Sequence, residues 1–211
     1  MTWSLNKNWR GCSAISIWLL SIAVGLWYLG KYETTPGAVN HRSPSWPVDH
    51  HIRLTPGRTN IVMLAHPRCP CTRASLIQLE TLLDHCRGQI NAHVFFWTPK
   101  SASADWFQTD LWRQAMAIPG VQVHADENGA RAHLLGVATS GHVLVYSGGG
   151  VCLFSGGLTD ARGQSGESLG VAIVEKLISG SPVPVDNSNV FGCPLFDPET
   201  SCMKGAEPCP K

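Results

Sequence analysis

The stretch 60-NIVMLAHPRCPCTRASLIQLETLLDHC-86 combines a strand, a tight turn and a helix. Residues 60–65 form a short apolar run of the kind found in buried strands. Apolar side chains then recur at helical spacing between residues 72 and 86, at Leu76, Leu79 and Leu83. The segment HPRCPCTRAS (66–75) joins the two elements at the carboxyl end of a strand, where open α/β sheets place their sites. The stretch therefore predicts an α/β fold with a candidate site at this turn.

The remaining predicted elements extend this fold. A second apolar strand is predicted at 90–97, and an antiparallel hairpin at 142–154 around the turn sequence SGGG. Two parallel strands joined by helices and followed by a hairpin indicate an α/β sandwich with a mixed central sheet. The other predicted elements are a helix capped by Ser103, an edge strand at 121–124, and helices at 127–135 and 168–178.

The N-terminal segment is predicted to be a transmembrane helix. Residues 11–30 carry no charge, and 20 residues of helix span about 30 Å, which matches a bilayer core. Aromatic side chains flank the run on both sides, at Trp3, Trp9, Trp27 and Tyr28. We interpret the segment as an uncleaved signal anchor, with a cleaved signal peptide as the alternative.

Charge and cysteine content predict on which side of the membrane the domain lies. Lys7 and Arg10 precede the apolar run, which favours a cytoplasmic N-terminus and a single-pass topology. The domain would then be extracytoplasmic, or periplasmic in a bacterium. Eight cysteines in 211 residues suit such an oxidising compartment. The net charge of +1, with basic residues scattered along the chain, argues against nucleic-acid binding.

The chain is predicted to have four parts. Residues 1–31 form the cytoplasmic stub and membrane anchor, and residues 32–58 form a proline-rich linker. Residues 59–180 form the α/β domain. Residues 181–211 form a tail rich in proline and cysteine, which either wraps the surface of the domain or extends freely.

Cys69 is the candidate nucleophile. It is predicted at the N-cap of the first helix of the domain, with Pro70 at N1, where backbone N–H groups and the helix dipole lower the pKa of a thiol. Arg68, Arg73 and His66 are expected to add positive charge. The alternative is a buried, inert cysteine pair at a strand end.

The spacing of the cysteines leaves the partner of Cys69 open. Residues two apart on a helix do not face each other, so a Cys69–Cys71 disulfide would be strained and easily reduced. Cys69 would otherwise pair with a distant cysteine, for which Cys193 in the apolar sequence VFGCPLF is the best candidate. Instead of pairing with Cys69, Cys193 could form a structural disulfide with Cys202 or Cys209.

Several motifs resemble known proteins. The Cys-containing turn together with DENGARAHLLGVATSGHVLVYSGGG resembles the thioredoxin superfamily, in particular its membrane-anchored extracytoplasmic members. HPRCPCTRAS, LWRQAMAIPGV, FSGGLTDARG and VFGCPLF are similar to RedB-type thioredoxin-like proteins, over roughly residues 60–196. The resemblance implies a thioredoxin-like three-layer sandwich and thiol–disulfide exchange, with Cys69 attacking and Cys71 or Cys193 resolving. It implies no cofactor, and its partners are protein thiols or disulfides outside the cytoplasm.

The sequence departs from ordinary thioredoxins at two positions. Their active turn is C-x-x-C, whereas Thr72 stands at the second cysteine position here. Their conserved cis-proline, which faces the active cysteines, has no counterpart in residues 139–141, where Ser140 takes its place. The peroxiredoxin pattern P-x-x-x-T-x-x-C is also missing from the turn. Contact with substrate is assigned to Arg68, Pro70, Thr72 and Ser140.

Two other functions remain open. A soft metal ion, copper(I) or zinc, would suit a cluster of thiolates and imidazoles at one end of the sheet, drawn from His66, Cys69, Cys71, His142 and Cys193. A redox-inactive thioredoxin-like binding module is the third hypothesis. Asp160 and Arg162, in a glycine-rich loop, are predicted to hold a turn together as an ion pair, and Cys86 and Cys152 are predicted to pack in the core.

Overall fold

The computed structural model describes residues 3–38, 43–47 and 54–196 and divides into two compact units, residues 1–35 and 36–211. The first unit is one long helix, α1 (Trp3–Glu33). Its segment Cys12–Glu33 has a mean hydropathy of 1.8 and none of it is buried. By length and composition this segment is a candidate membrane span, and a signal sequence has the same properties.

The second unit is built on a five-stranded mixed sheet with the strand order β3-β2-β1-β4-β5. The first three strands are parallel to one another, whereas β4 pairs antiparallel with β1 and β5 pairs antiparallel with β4. The strands are β1 (Thr59–Ala65), β2 (Ile90–Thr98), β3 (Val121–Glu127), β4 (His142–Tyr146) and β5 (Cys152–Gly157).

Helices cover both faces of the sheet, which makes three layers. Side chains of β1 alternate between the faces: Ile61 and Met63 pack with α2, α4 and α6, while Val62 and Leu64 pack with α5. The fold predicted from the sequence, a thioredoxin-like three-layer sandwich with a mixed central sheet, is confirmed. The helices are α2 (Cys71–His85), α3 (Ala104–Phe107), α4 (Asp110–Ala117), α5 (Ala130–Leu135) and α6 (Leu169–Ile178).

Two local predictions were wrong. Helix α2 begins at Cys71 with Pro70 as its N-cap, so Cys69 lies one residue before the cap. Pro70 already has helical torsion angles (φ −63°, ψ −29°), but the Thr72 and Arg73 N–H groups donate to the carbonyls of Cys69 and Pro70 in tight three-residue turns, so the α-helix itself begins at Cys71. The single helix predicted after Ser103 is split into α3 and α4, because Thr109 is extended and its hydroxyl donates to the carbonyl of Pro67 at 2.8 Å.

The described parts of the predicted linker and tail contact the domain. The Trp46 ring meets Tyr146 edge to face, with centroids 5.2 Å apart, and the Trp46 N–H donates to Gly150 O. In the tail, the side chains of Val190, Phe191 and Leu195 are buried. The tail was predicted either to wrap the surface of the domain or to extend freely, and residues 181–196 wrap the surface. Cys202 and Cys209 lie outside the described residues, and the four-part division of the chain remains a prediction.

Candidate functional site

The candidate site lies where the central strand β1 ends and helix α2 begins. Strand β1 has neighbours on both sides and is buried from Asn60 to Ala65, so the turn that follows is anchored in the middle of the domain. Residues 66–70 then cross to the first turn of α2. The sequence analysis predicted the site at this position, the carboxyl end of the first strand of the domain.

Three cysteine sulfurs meet at this turn. The Sγ atoms of Cys69, Cys71 and Cys193 all lie within 4.8 Å of one another, and all three side chains are free thiols. Cys69 and Cys71 are buried, at 1% and 7% exposure, and Cys193 is half-buried. The structure thus brings together the three cysteines that the sequence selected, although Cys193 is remote from the other two along the chain.

Backbone pairing places Cys193 beside the turn. The Ser140 N–H donates to Cys193 O at 2.8 Å, and the Leu195 N–H donates to Ala138 O at 2.8 Å. Between these two bonds, Thr139 and Pro194 form an antiparallel bridge. Residues 193–195 of the tail therefore pair with the loop that precedes β4, and Cys193 lies against Cys69.

Cys69 is the thiol of the cluster that ionises most readily. Burial by itself raises the pKa of Cys69. Hydrogen bonds from the side chain and backbone of Cys193, and from those of Thr72, outweigh burial and lower the pKa below its ordinary value. The lowered pKa predicted for Cys69 thus has its source in the tail and in Thr72.

The other two thiols stay protonated when Cys69 is ionised. Burial, followed by the charge of Cys69, raises the pKa of Cys71. Burial and the hydrogen bond to Cys69 raise the pKa of Cys193 to about 12. The Arg162 guanidinium opposes both shifts because its positive charge favours the thiolates. The first proton that the cluster loses therefore comes from Cys69.

Arg162 was missed in the sequence analysis, which predicted an ion pair with Asp160. Its Nη1 donates to Gly192 O at 2.6 Å, and its side chain hydrogen-bonds to the sulfur of Cys71. The Asp160 carboxylate instead accepts from the Leu169 N–H at the start of α6. The motif FSGGLTDARG was the available signal, but nothing local in it shows that the loop turns toward the cysteines.

The four residues assigned to substrate contact take different positions. Arg68 and Pro70 are exposed, and the Arg68 guanidinium lies over the Trp106 ring, 4.6 Å from its centroid. Thr72 and Ser140 are buried and joined through their hydroxyl oxygens at 2.8 Å. The Ser140 hydroxyl also accepts from the His66 N–H, so this side chain braces the turn while its backbone holds the tail.

The positive charges expected around Cys69 are directed elsewhere. Arg68 stacks on Trp106, and Arg73 pairs with the carboxylate of Asp110 on α4. The leading causes of the pKa shift of Cys69 are burial and the hydrogen bonds from Cys193 and Thr72, not these two arginines. A contribution of Arg68 and Arg73 to the positive field at this thiol stays a prediction.

The imidazoles proposed as metal ligands do not reach the thiols. The His66 ring stacks on Trp97 with centroids 5.4 Å apart, and its Nδ1 accepts from the Arg68 N–H. His142 is buried on β4, where its Nε2 bonds to the Ser155 hydroxyl at 2.8 Å. Within the described residues, the set close enough to share an ion consists of Cys69, Cys71 and Cys193. The mixed His/Cys ligand set is therefore corrected to three sulfurs, a donor set that suits copper(I).

Comparisons with known proteins support the fold. No protein-family model matches the chain. No curated protein matches it in sequence. Among solved structures, an uncharacterized conserved protein from Geobacillus kaustophilus aligns over 79% of this chain and 91% of its own, with 16% identity and a TM-score of 0.56.

Of two further solved structures, one has a similar TM-score and the other a lower one. A hypothetical protein from Sinorhizobium meliloti 1021 aligns over 77% of this chain and 96% of its own, with 15% identity and a TM-score of 0.54. StoA from Bacillus subtilis aligns over 68% and 97%, with 11% identity and a TM-score of 0.43. The first two likenesses support the three-layer fold, and the function has to be argued from the site.

Proposed function

We propose that this protein is a membrane-anchored, extracytoplasmic thiol–disulfide exchange protein in which Cys69 attacks and Cys193 resolves. One observation carries the proposal: the thiol with the lowered pKa, Cys69, hydrogen-bonds to a second thiol, and three sulfurs lie within 4.8 Å. A thiolate is the attacking species in disulfide exchange, and a nearby thiol completes the reaction.

The exchange takes two steps. The Cys69 thiolate attacks one sulfur of a substrate disulfide, forms a mixed disulfide, and expels the other substrate sulfur as a thiolate. The Cys193 thiol then loses its proton to solvent and attacks Cys69 Sγ, which releases the second substrate thiolate. The substrate disulfide is reduced by two electrons, and Cys69 and Cys193 are oxidised to a disulfide. The reverse sequence oxidises a substrate dithiol.

Cys193 suits the resolving role better than Cys71. Cys71 lies two residues from Cys69 in the same tight turn, where a disulfide would be strained. Cys193 approaches from a separate segment, and its thiol hydrogen-bonds directly to Cys69. Arg162 opposes the raised pKa of both Cys71 and Cys193, so the choice rests on the geometry of the two disulfides.

The proposed location rests on the N-terminal segment. Helix α1 would anchor the chain, with Lys7 and Arg10 on the cytoplasmic side and the domain outside. The substrates would be protein thiols or disulfides in that compartment. The RedB-type resemblance is part of this proposal, through the motifs around Cys69 and Cys193.

A map of cysteine states tests the proposal. The full chain in detergent micelles is equilibrated across a graded glutathione series, and its cysteines are identified by differential alkylation and mass spectrometry. Cys69 and Cys193 should convert together between thiols and one disulfide. Cys69→Ser should abolish exchange with a protein substrate, whereas Cys86→Ser, which alters a buried core cysteine at the opposite end of α2, should retain it.

Two outcomes would count against the exchange mechanism, and a third would change its resolving cysteine. If Cys69 stays reduced across the whole glutathione series, the protein has no oxidised form that could take part in exchange. Equal loss of exchange in the Cys69 and Cys86 variants would point to a folding defect. A Cys69–Cys71 disulfide in place of Cys69–Cys193 would transfer the resolving role to Cys71.

A copper(I) site is the second candidate function, favoured by the three converging sulfurs. Under anaerobic conditions, the reduced chain should then withdraw one equivalent of copper(I) from a chromogenic chelator. Cys71→Ser separates the two functions because a three-sulfur site needs Cys71, whereas exchange between Cys69 and Cys193 does not. A chain that leaves the chelator complex intact would exclude this candidate.

A further inference from the structure

The thiol that ionises most readily is closed off by the protein's own tail. Cys69 is only 1% exposed, and the tail lies against it: Cys193 hydrogen-bonds to Cys69, and residues 193–195 pair with the loop before β4. A substrate sulfur cannot approach Cys69 while this segment is in place. Any exchange with a protein substrate, the function proposed above, therefore requires that the tail leave and that the substrate enter the groove it vacates.

The groove holds the tail mainly through backbone atoms. Besides the two bonds to the 138–140 loop, the Gly37 N–H donates to Val190 O at 2.8 Å and Arg162 donates to Gly192 O. Such bonds do not depend on the side chains of the occupant. Another extended segment can form the same bonds in the same register.

One position of the groove accepts only glycine. A Cβ atom on Gly192 would lie 1.9 Å from Ser140 O and 2.9 Å from its carbonyl carbon. Both are backbone atoms of a loop that is held without the tail, because the Ser140 hydroxyl bonds to the His66 N–H and to Thr72 and the Gly141 N–H donates to Leu64 O. They cannot move aside as a flexible side chain would. The residue before the cysteine is therefore restricted to glycine.

Two further positions accept apolar side chains. Phe191, two residues before the cysteine, is 8% exposed. Leu195, two residues after it, is 1% exposed and packs in the cluster that contains Val62 and Phe95. An occupant without apolar groups at these positions would leave apolar surface of the groove in contact with water.

We propose that this groove is a binding site for extended protein segments of the pattern apolar–Gly–Cys–x–apolar, and that the tail is its built-in occupant. A substrate with this pattern around its cysteine replaces the tail and presents its sulfur to Cys69. The proposal rests on the exchange function and names the class of partner that the groove selects.

A chromogenic peptide tests the proposal. The full chain carrying Cys193→Ser is mixed in detergent micelles with the peptide NVFGCPLF, whose cysteine is capped as a disulfide with thionitrobenzoate. Attack by the Cys69 thiolate on the peptide sulfur forms the Cys69–peptide disulfide and breaks the bond to the cap. The cap leaves with the electron pair as a yellow thiolate, so the protein thiol is oxidised and the reagent is reduced. The rate is read from the absorbance.

Matched peptides and protein variants give the expected pattern. NVFGCPLF should react at least tenfold faster than NVFACPLF and than glutathione capped in the same way. Gly192→Ala in the protein should weaken docking of the tail and speed the reaction with NVFGCPLF several-fold. Gly149→Ala is the matched control because its Cβ would have only the Ser147 hydroxyl oxygen nearby, at 3.8 Å.

The outcomes separate the groove from the chemistry. Equal rates for both peptides and for capped glutathione would overturn the groove and leave the exchange function standing. No reaction with any reagent, even in the Gly192→Ala chain, would overturn the exchange function itself. A Gly192→Ala chain that reacts like the Gly149→Ala control would overturn the role of the tail as occupant.

Discussion

At the scale of single residues, the chemistry depends on what surrounds the Cys69 sulfur. Burial works against its ionisation, and hydrogen bonds from Cys193 and Thr72 reverse that effect. The charged side chains nearby are occupied, Arg68 on Trp106 and Arg73 on Asp110. Short-range donors, rather than surface charge, therefore decide which of the three thiols becomes the nucleophile.

Thr72→Val should make Cys69 less reactive at neutral pH. The variant removes a hydroxyl that hydrogen-bonds to Cys69, so the pKa of Cys69 rises and a smaller fraction is thiolate. The rate of alkylation by iodoacetamide, measured from pH 5 to pH 10, should rise at a higher pH than in the parent chain. Thr81→Val is the control, because that hydroxyl donates to Ile77 O within α2. Identical profiles for the two variants would refute the assigned role of Thr72.

Arg162→Gln should slow the second step of exchange more than the first. Its guanidinium lowers the pKa of Cys193 and of Cys71, so without it the resolving thiolate is scarcer. The mixed disulfide between Cys69 and substrate should accumulate, which acid quenching and mass spectrometry detect. Arg113→Gln, on the exposed side of α4, should show no accumulation. An equal slowing of both steps would argue that Arg162 only stabilises the fold.

At the scale of elements, the site is assembled from three segments that are far apart in the chain. The turn before α2 supplies Cys69 and Cys71, the loop before β4 supplies the backbone that pairs with the tail, and the tail supplies Cys193. The loop after β5 adds Arg162. The tail segment 190–196 is the element on which the geometry most depends.

Leu195→Ala should weaken docking of the tail and the Cys69–Cys193 disulfide together. Loss of a fully buried leucine costs about 2–5 kcal/mol, and a less firmly held Cys193 has a lower effective concentration at Cys69. A more oxidising glutathione ratio should then be needed to form the disulfide. Val185→Ala, in an exposed part of the same tail, should leave the midpoint in place. An unchanged midpoint in Leu195→Ala would show that burial of this side chain does not position Cys193.

At the scale of the whole molecule, buried histidines make stability depend on pH. Burial, with a contribution from His124, lowers the pKa of His93 to about 4, and burial lowers that of His142 to about 4. The unfolded chain, with ordinary histidines, binds more protons between about pH 6.5 and 4. Stability is therefore fully present above this window and is lost as the pH falls through it.

We expect the free energy of unfolding to fall by up to about 3 kcal/mol for each of these histidines between pH 7 and 4. Urea titrations at several pH values measure this loss. His142→Gln should remove part of it, while His85→Gln, which changes an exposed histidine, serves as the control. A loss of the same size in the His142 variant and the parent would rule out His142 as a contributor.

The predicted topology is also a property of the whole chain. Alkaline phosphatase fused after Lys211 should be active in a bacterial host, because that enzyme needs disulfides formed outside the cytoplasm. Deletion of residues 11–30 should abolish the activity by removing the apolar segment of α1. Activity that survives the deletion, or an inactive parent fusion, would contradict the proposed location.

The strand, turn and helix at residues 60–86, the hairpin and the apolar N-terminal segment were determined by the sequence itself, because each follows from a local pattern of apolar and turn residues. Cys69 could be selected as the nucleophile because its place at the start of a helix is also local information. Only the tertiary structure shows that Cys193 lies beside Cys69, that the His66 ring stacks on Trp97, and that Arg162 contacts the tail at Gly192. These three depend on backbone pairing and aromatic packing between segments remote in the chain, which no local pattern records.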